Sequence, residues 1–391
     1  MEIQGQVTLK HGRAKKIRNQ YPWVQREELH RKENVEDGVL TRVLDAKQEF
    51  LAIGTYNGKS RFPVRILTLK DEPINEEFFA RRFRESIRAR ESLKTITDSW
   101  RVVFSEADHL PGLIIDQFNG HFVVQVRSLA MENLKSLWLP ALLSVFQPKT
   151  IYEKSEMAGR KEEGLDARVE HLHGSTPDVV EMTEHGMNLL VPIAEGLKTG
   201  FYLDQRNTRH DFSQFVRPGD KVLDTFCYTG GFSLAATRAG AKCTGVDILP
   251  IALDTARENA RRNKLEIPFI EANAFEYLEA GADGLGPFDH IILDPPAIAK
   301  TSEKRDALKW AIWKLVYHAL PLLKPGGILM VCNCSYQLTW QSTIEACRIA
   351  ASDKGTTLNL ERLTFQDIDH PAPIHFPESL YLKCLWLRKG R

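Results

Sequence analysis

The second half of the chain alternates strand-like and helix-like segments, and this alternation constrains the fold more than any other feature. Apolar runs such as KVLDTF, AKCTGVD, HIILD and GGILMVCN are separated by segments with helical periodicity. The alternation predicts a doubly wound, parallel α/β sheet from about residue 179 to the end of the chain. Ligands of such sheets bind outside the carboxyl ends of the strands, so the residues that end each strand form the candidate site.

The first 178 residues have a different character and predict two further domains, at 1–73 and 74–178. Three β-rich runs, VLTRVLDA, EFLAIGTYN and FPVRILTL, predict a small β-barrel module in the first domain. Residues 76–96 repeat apolar side chains at helical spacing, and strand-like segments follow them, so we expect an α+β unit. A hairpin that turns at His185-Gly186 opens the third predicted domain, 179–391.

Charge and composition exclude several classes of protein. Lys and Arg total 52 and Asp and Glu total 51, which excludes a uniformly basic nucleic-acid binder. No window approaches 18 consecutive apolar residues, so we expect no membrane span. The start, MEIQGQVTLKHGRAKK, has no apolar stretch behind its charges, so we expect no signal peptide. The six cysteines lie in the C-terminal half without a CxxC pair, so we expect a cytoplasmic protein with free thiols and no metal site.

The opening of the chain is strongly basic. Residues 1–32 hold eight Lys or Arg side chains, among them Lys15 and Arg18, against three Glu. Trp23 lies beside this cluster, and RNA binding combines phosphate neutralisation with base stacking on such rings. The first domain is therefore predicted to bind RNA, while a merely solvated charged face remains an alternative.

The loop after the first strand of the alternating region is the predicted cofactor site. The strand ends at Asp224, and the loop that follows contains Phe226, Cys227, Tyr228, Thr229 and Gly230. Glycine lets a ligand approach backbone N–H groups at the helix start, but neither GxGxxG nor a P-loop is present. An adenosine ligand without phosphate is favoured, and S-adenosylmethionine suits the loop better than NAD.

Two further polar residues end neighbouring strands. Asp247 closes the second strand, and a carboxylate there can accept hydrogen bonds from both hydroxyls of a ribose. Its alternative role is a helix cap. Asn273, followed by Ala274, comes after the third strand, where an amide can bind the adenine edge or cap the next helix.

The fourth and fifth strands end in residues that suit methyl transfer to a base. The fourth runs into Asp294-Pro295-Pro296, and a carboxyl group there can hydrogen-bond a ring nitrogen. The fifth is followed by Cys334, and attack of a thiolate on C6 of a pyrimidine makes C5 nucleophilic. A buried structural thiol is the alternative for Cys334.

These motifs together resemble a known family. They are EADHLPGLIIDQF, EKSEMAGRKEEGL, GLKTGFYLDQR, DTFCYTGGFSL, ILDPP, NCS, Asp369-His370-Pro371 and PESLYLK, with RNQYPWV at the start. The chain is similar to bacterial ribosomal RNA methyltransferases that make 5-methylcytosine in the 23S RNA of the large subunit. The likeness covers nearly the whole chain.

The resemblance implies a PUA domain, an α+β central domain and a Rossmann-like class I methyltransferase domain with a mostly parallel, seven-stranded sheet. It implies that Cys334 is the nucleophile. It also implies that Asp294 lines the site of S-adenosylmethionine together with the loop that follows Asp224, and that Gln205 and Arg206 lie nearby. Lys198, His370 and the two prolines are expected on the substrate side. RNA, either 23S or a large-subunit precursor, is the expected partner, and a homodimer is left open.

The chain departs from the family in two places. Ala297-Ile298-Ala299 follows the prolines where the family has an aromatic residue, and NCS replaces SCS. Related enzymes that methylate guanine N7 lack the cysteine, so Cys334 separates the two reactions. An RNA-binding assembly factor without catalysis is a third reading. With no second cysteine beside Asp-Pro-Pro, the group that removes the C5 proton is unassigned.

Overall fold

A computed structural model describes residues 2–296 and 305–390. The chain divides into two compact units. Unit 1 comprises Met1–Thr183, Leu197–Gly200 and Ile368–Ser379, and unit 2 comprises Glu184–Gly196, Phe201–Asp367 and Leu380–Arg391. Two short, late segments of the chain therefore belong to unit 1. The division into three domains, with boundaries after residues 73 and 178, stays a prediction.

The first part of unit 1 is a mixed sheet with one short helix. Its elements are β1 (Ile3–Leu9), α1 (Ala14–Arg18), β2 (Trp23–Val24), β3 (Leu29–Glu33), β4 (Val39–Leu44), β5 (Phe50–Tyr56) and β6 (Val64–Thr68). The strands lie in the order β2-β6-β5-β4-β1-β3. The three β-rich runs of the sequence are β4, β5 and β6, which confirms those strands. The structure adds β1, which pairs parallel with β4 and antiparallel with β3.

The rest of unit 1 packs helices against a second sheet. Its elements are α2 (Glu76–Ala89), β7 (Ser99–Phe104), β8 (Leu113–Phe118), β9 (His121–Val126), α3 (Leu129–Asn133), α4 (Lys135–Phe146), β10 (Thr150–Ser155), α5 (Gly159–Glu162) and β11 (Arg168–His173). The strands lie in the order β11-β10-β9-β8-β7. Asn75 caps α2 by accepting the N–H of Phe78 at 3.0 Å, and the helix ends seven residues earlier than its pattern predicts.

One buried cluster joins the two sheets of unit 1. Phe79 and Phe83 of α2 and Trp138 of α4 pack in the same cluster as Leu40 of β4 and Ile53 of β5. The apolar face of α2 is therefore shared between the sheets, which accounts for their grouping in a single unit.

A two-stranded sheet follows, made of β12 (Val179–Glu184) and β13 (Met187–Pro192). His185 and Gly186 both have positive φ, at 48° and 74°, as the turn of a two-residue hairpin requires. The predicted hairpin and its turn are confirmed.

Unit 2 is built around a doubly wound sheet. Its further elements are α6 (Arg206–Phe215), β14 (Lys221–Thr225), α7 (Gly231–Arg238), β15 (Lys242–Asp247), α8 (Pro250–Arg262), β16 (Phe269–Glu271), α9 (Ala274–Glu279), β17 (Phe288–Leu293), α10 (Arg305–Ala319), β18 (Leu323–Asn333), α11 (Trp340–Asp353), β19 (Leu358–Phe365) and β20 (Lys383–Lys389). In the described part of the chain, seven strands lie in the order β16-β15-β14-β17-β18-β20-β19. The predicted Rossmann-like sheet is confirmed.

The direction of the strands determines which residues meet at one edge of this sheet. The strands β14 to β18 run parallel, so their carboxyl ends share an edge. The strand β20 runs antiparallel to β18 and pairs Lys383 with Asn333. The first residue of β20 therefore lies at the same edge as the last residue of β18.

Short 3₁₀ turns connect several elements, at Arg26–Glu28, Glu91–Thr95, Ser105–Asp108, Leu203–Gln205, Ala282–Gly284, Leu320–Leu322 and Pro377–Ser379. Among the described residues, no helix has the length and apolar character needed to span a bilayer.

Candidate active site

The loop between β14 and α7 is held in a conformation that places backbone N–H groups at the helix start. Phe226, Tyr228 and Gly230 have positive φ, at 62°, 50° and 84°. Asp224, on β14, accepts the N–H of Ser233 at 3.0 Å and its hydroxyl at 2.6 Å. Two non-glycine residues in the left-handed region mark the loop as a strained segment that its surroundings hold in place.

Asp224 lies in an unusual electrostatic environment. The side chain is buried, and burial raises its pKa to about 7, against the hydrogen bonds from Ser233 and with a further rise from Asp294 and Asp247. Three carboxyl groups that influence one another at the same sheet edge favour a ligand with a positive charge or hydrogen-bond donors. The sulfonium and ribose of S-adenosylmethionine provide both.

Asp247 links the loop after β14 to the residues after β15 through hydrogen bonds. One carboxylate oxygen accepts the N–H of Tyr228 at 2.8 Å, and the other accepts the N–H of Leu249 at 3.0 Å. The cap of α8 is Leu249 rather than Asp247. The ribose contact of Asp247 stays a prediction, and the observed bonds show that its carboxylate also shapes the loop.

Asn273 acts as a helix cap. Its side-chain oxygen accepts the N–H of Phe275 at 3.0 Å and so begins α9, in which Ala274 is the first residue. The alternative given for Asn273 from the sequence is therefore observed, while the adenine contacts of Asn273 and Ala274 stay predictions. Phe275 also packs edge-on against Phe226, which joins the third strand end to the loop.

The residues present fit S-adenosylmethionine. Among the described residues, the buried hydroxyl of Thr229 has no hydrogen-bond partner, and it lies in the loop beside buried Cys227 and Tyr228. An unpaired hydroxyl in a buried loop is the kind of group that a polar ligand completes. The loop, Asp224 and Asp247 would hold the cofactor, which supplies an electrophilic methyl group when bound.

Asp294 follows β17 directly, as predicted, and is half-buried. Gln205 donates its amide N–H to Asp294 at 3.1 Å, and the thiol of Cys384 contacts the amide oxygen of Gln205 at 3.5 Å. Pro295 is buried and Pro296 is exposed. The departure at 297–299 lies outside the described residues.

Cys334 follows β18, the strand next to β17 in the sheet. It is partly exposed, whereas the other five cysteines are buried. Asn333 holds the turn, because its amide donates to the carbonyl of Leu338 at 3.1 Å and its oxygen accepts the N–H of Ser335 at 2.9 Å. The asparagine of NCS therefore has a structural role in presenting the thiol.

Arg206 forms ion pairs with carboxylates of unit 2. Its guanidinium is fully buried, bonds Asp367 at 2.5 Å and lies 3.7 Å from Glu184. These ion pairs fix the start of α6 beside Gln205. A direct contact of Arg206 with the cofactor stays a prediction.

The remaining predicted residues belong to unit 1. Lys198 is exposed with a φ of 53°, and His370 is buried with its ring nitrogen 2.8 Å from Asp369. Lys15 and Arg18 are exposed on and at the end of α1. Their contacts with substrate stay predictions.

Trp23 already contacts other side chains of unit 1. Its ring stacks on Phe62 with centroids 4.1 Å apart, and Phe376 packs edge-on at 4.6 Å. Its indole N–H donates to Glu106 at 2.9 Å. Base stacking on Trp23 stays a prediction, and any base must share the ring with these neighbours.

Two residues of the site were not singled out from the sequence. Tyr202 packs edge-on against Tyr228, and burial, followed by the charges of Tyr228, Asp294 and others including Cys334, raises its pKa above the usual value. It therefore lies between the loop and the two strand ends. Lys383 donates to the carbonyl of Ser335 at 2.7 Å. Tyr202 lies in the motif GLKTGFYLDQR and Lys383 in PESLYLK, which the sequence shares with the family. Their place in these motifs is the sequence signal that could have identified them.

Comparisons with known proteins agree with this arrangement. A family described as a PUA-like domain matches residues 7–69, and one described as S-adenosylmethionine-dependent methyltransferase matches residues 156–375. A protein of Aeromonas salmonicida called ribosomal RNA large subunit methyltransferase I is 35% identical over 98% of both chains. A Vibrio cholerae protein of the same name is 34% identical over 96% of this chain and 97% of its own.

Solved structures show the same fold. SMU.776, a methyltransferase complexed with SAH, matches with a TM-score of 0.85 over 99% of this chain and 100% of its own, at 20% identity. A second match, a SAM-dependent methyltransferase from Streptococcus mutans, has a TM-score of 0.84 over 98% of this chain and 100% of its own, also at 20% identity. At that identity the likeness shows the fold alone.

Proposed function

The chain belongs to the ribosomal RNA large subunit methyltransferase I family of S-adenosylmethionine-dependent enzymes, and from this premise we propose that it forms 5-methylcytosine in 23S ribosomal RNA.

The observation that carries the proposal is the position of one thiol. Cys334 is the partly exposed cysteine of the described residues, and it follows β18 at the sheet edge where ligands of this fold bind. Asp294 directly follows the neighbouring strand β17. A thiol and a carboxyl group on adjacent strand ends can supply the nucleophile and the hydrogen bond to the ring that methylation of a pyrimidine carbon uses.

The reaction follows from the chemistry of these groups. The thiolate of Cys334 attacks C6 of the cytosine, a bond forms between sulfur and C6, and the ring electrons move toward C5. The carboxyl group of Asp294, in its protonated form, donates a hydrogen bond to the ring N3 and stabilises the electron-rich ring. S-adenosylmethionine supplies the methyl group that C5 takes up. Loss of the C5 proton to a base then breaks the bond between sulfur and C6 and restores both the aromatic ring and the thiolate.

The other elements have supporting roles. Asp224, Asp247 and the loop at 226–230 bind the cofactor, and Gln205 orients Asp294 through its amide. The PUA-like domain binds RNA phosphates, and the target cytosine is turned out of its strand into the site because a stacked base does not expose C6.

Replacement of the nucleophile tests the proposal. Cys334→Ala is expected to abolish 5-methylcytosine while S-adenosylmethionine still binds with nearly the affinity of the unchanged protein. Cys347→Ala, at a buried cysteine on α11, is the control and should retain activity.

The assay is mass spectrometry of nucleosides from 23S RNA treated with each protein, with cofactor binding measured by titration. A fully active Cys334→Ala protein would contradict the covalent route. A product of 7-methylguanosine instead of 5-methylcytosine would contradict the choice of cytosine.

A further inference from the structure

The proposed function requires a thiolate, and the chain contains a group that can supply one. We propose that Lys383 is the positioning residue that takes up the proton of the Cys334 thiol and then, as an ammonium, holds the thiolate ready for attack. This inference rests on the proposed role of Cys334. It assigns a role to the last residue of the PESLYLK motif, a position for which the motif alone gives no role.

The backbone brings the two residues together. Lys383 begins β20 and pairs with Asn333, the last residue of β18, so its neighbour across the sheet is the residue just before Cys334. The ammonium nitrogen donates to the carbonyl of Ser335, the residue just after Cys334, at 2.7 Å. The backbone of Lys383 is thus paired with the residue before the thiol, and its side chain is bonded to the residue after it.

The surroundings make a charged Lys383 costly unless an anion is near. Only 5% of the residue is exposed. Among residues 2–296 and 305–390, no carboxylate lies within ion-pair distance of its nitrogen. Burial lowers the pKa of Lys383 to about 8, and the charges of Cys334 and Cys384 oppose that shift. An amine with such a pKa is partly neutral near pH 8, and that neutral form can accept the thiol proton, because the thiolate that results stabilises the ammonium.

Cys334 is the better candidate of the two nearby thiols for the anion. Cys384 follows Lys383 on β20, so its side chain points to the opposite face of the sheet, where it contacts Gln205. It is fully buried, whereas Cys334 is partly exposed. Within the described part of the chain, the titratable groups near the pair include Asp294, Tyr202, whose pKa is raised by burial, and Cys332, whose pKa is raised by burial and by Cys384. A neutral phenol beside the thiol adds no competing charge.

The pH dependence of Cys334 alkylation tests this pairing without methylation activity. Iodoacetamide is applied to the full chain between pH 6 and pH 10, and mass spectrometry follows the peptide that contains Cys334. Lys383→Met is expected to raise the midpoint of alkylation by at least one pH unit, whereas Lys383→Arg, which keeps a positive charge, retains a low midpoint. The Lys383→Met protein should also lose most of its methylation rate without a change in cofactor affinity.

Lys389→Met is the matched control. Lys389 ends the same strand and also donates to backbone carbonyls, those of Leu320 and Leu323, each at 2.7 Å. Its replacement should leave the midpoint unchanged. An unchanged midpoint in Lys383→Met overturns the inference while leaving the role of Cys334 to the alanine test above.

A reciprocal measurement in a second variant tests the pairing even if the Lys383→Met protein misfolds. Cys334→Ser removes the thiolate and keeps the shape of the side chain. The lysine ε-carbon resonance of Lys383 should then titrate at lower pH than in the unchanged protein, because the anion that favours the ammonium is gone. Titration at the same pH in both proteins refutes the pairing.

Discussion

Replacement of Arg209 by methionine should destabilise unit 2 severely. Arg209 makes a two-point ion pair with Glu184, with nitrogen-to-oxygen distances of 2.8 and 2.6 Å. Only 3% of Arg209 and none of Glu184 is exposed. Methionine fills similar space but leaves the Glu184 carboxylate in the interior, with Arg206 as a more distant cation at 3.7 Å.

The size of the effect follows from burial. Removing one partner of a buried ion pair costs about 3–5 kcal/mol, since the remaining charge loses both its partner and its water. For a unit of this size each kcal/mol lowers the melting temperature by roughly 2–4 °C, so the melting temperature should fall by about 6–20 °C. Burial tends to raise the pKa of Glu184, but the charges of Arg209 and Arg206 outweigh it and hold the pKa below its usual value. The stabilisation is therefore present at neutral pH and is lost as pH falls below the usual range of a carboxyl group.

The assay is urea unfolding at pH 7, followed by tryptophan fluorescence and calorimetry. Arg257→Met is the matched control, because Arg257 forms an exposed ion pair with Asp254 on α8 and its loss should cost less than about 1 kcal/mol. Glu184→Gln in the Arg209→Met background should recover part of the loss, since it removes the unpaired charge. Equal effects of Arg209→Met and Arg257→Met would refute the reasoning.

Two further predictions concern the cofactor loop and the RNA. Because burial raises the pKa of Asp224 to about 7 in the folded chain, its contribution to stability is present at low pH and disappears as pH rises from 4 to 7. Asp224→Asn should remove a pH dependence of up to about 1.4 kcal/mol per pH unit from the free energy of unfolding measured in urea. The same pH dependence in both proteins would contradict the shift. Lys15→Gln should weaken binding to all RNA sequences alike and reduce the salt dependence of binding by about one ion, as measured by fluorescence anisotropy. Lys94→Gln, at an exposed lysine paired with Glu91, should leave both unchanged.

The sheet of unit 2 could be predicted because the sequence patterns that specify its strands and helices are local. Strands buried on both faces are continuous apolar runs, and the helices between them have their own periodicity. Asp224, Asp294 and Cys334 stand where such strands end, so their place at one edge of the sheet followed from strand direction alone.

The remaining features depend on contacts that are distant in the sequence. The register of antiparallel β20 places Lys383 beside Asn333, and no local pattern of residues encodes that register. The strand β1 mixes polar and apolar residues, since IQGQVTL lacks regular alternation. Arg206 illustrates the same limit, because one of its buried carboxylate partners, Asp367, lies 161 positions later in the chain.

The late segments that complete unit 1 impose an order on its folding. Arg90 donates to the carbonyl of Asp369, a residue 279 positions later, and buried Asp116 accepts the hydroxyl of Thr199, 83 positions later. At 5–20 residues per second, a ribosome needs about 15–60 s to travel from Arg90 to Asp369. Asp108, with which the buried guanidinium of Arg90 also pairs, is synthesised long before Asp369 and is the first of these two partners available to it. Native contacts of unit 1 are thus completed only after nearly all of unit 2 has been synthesised.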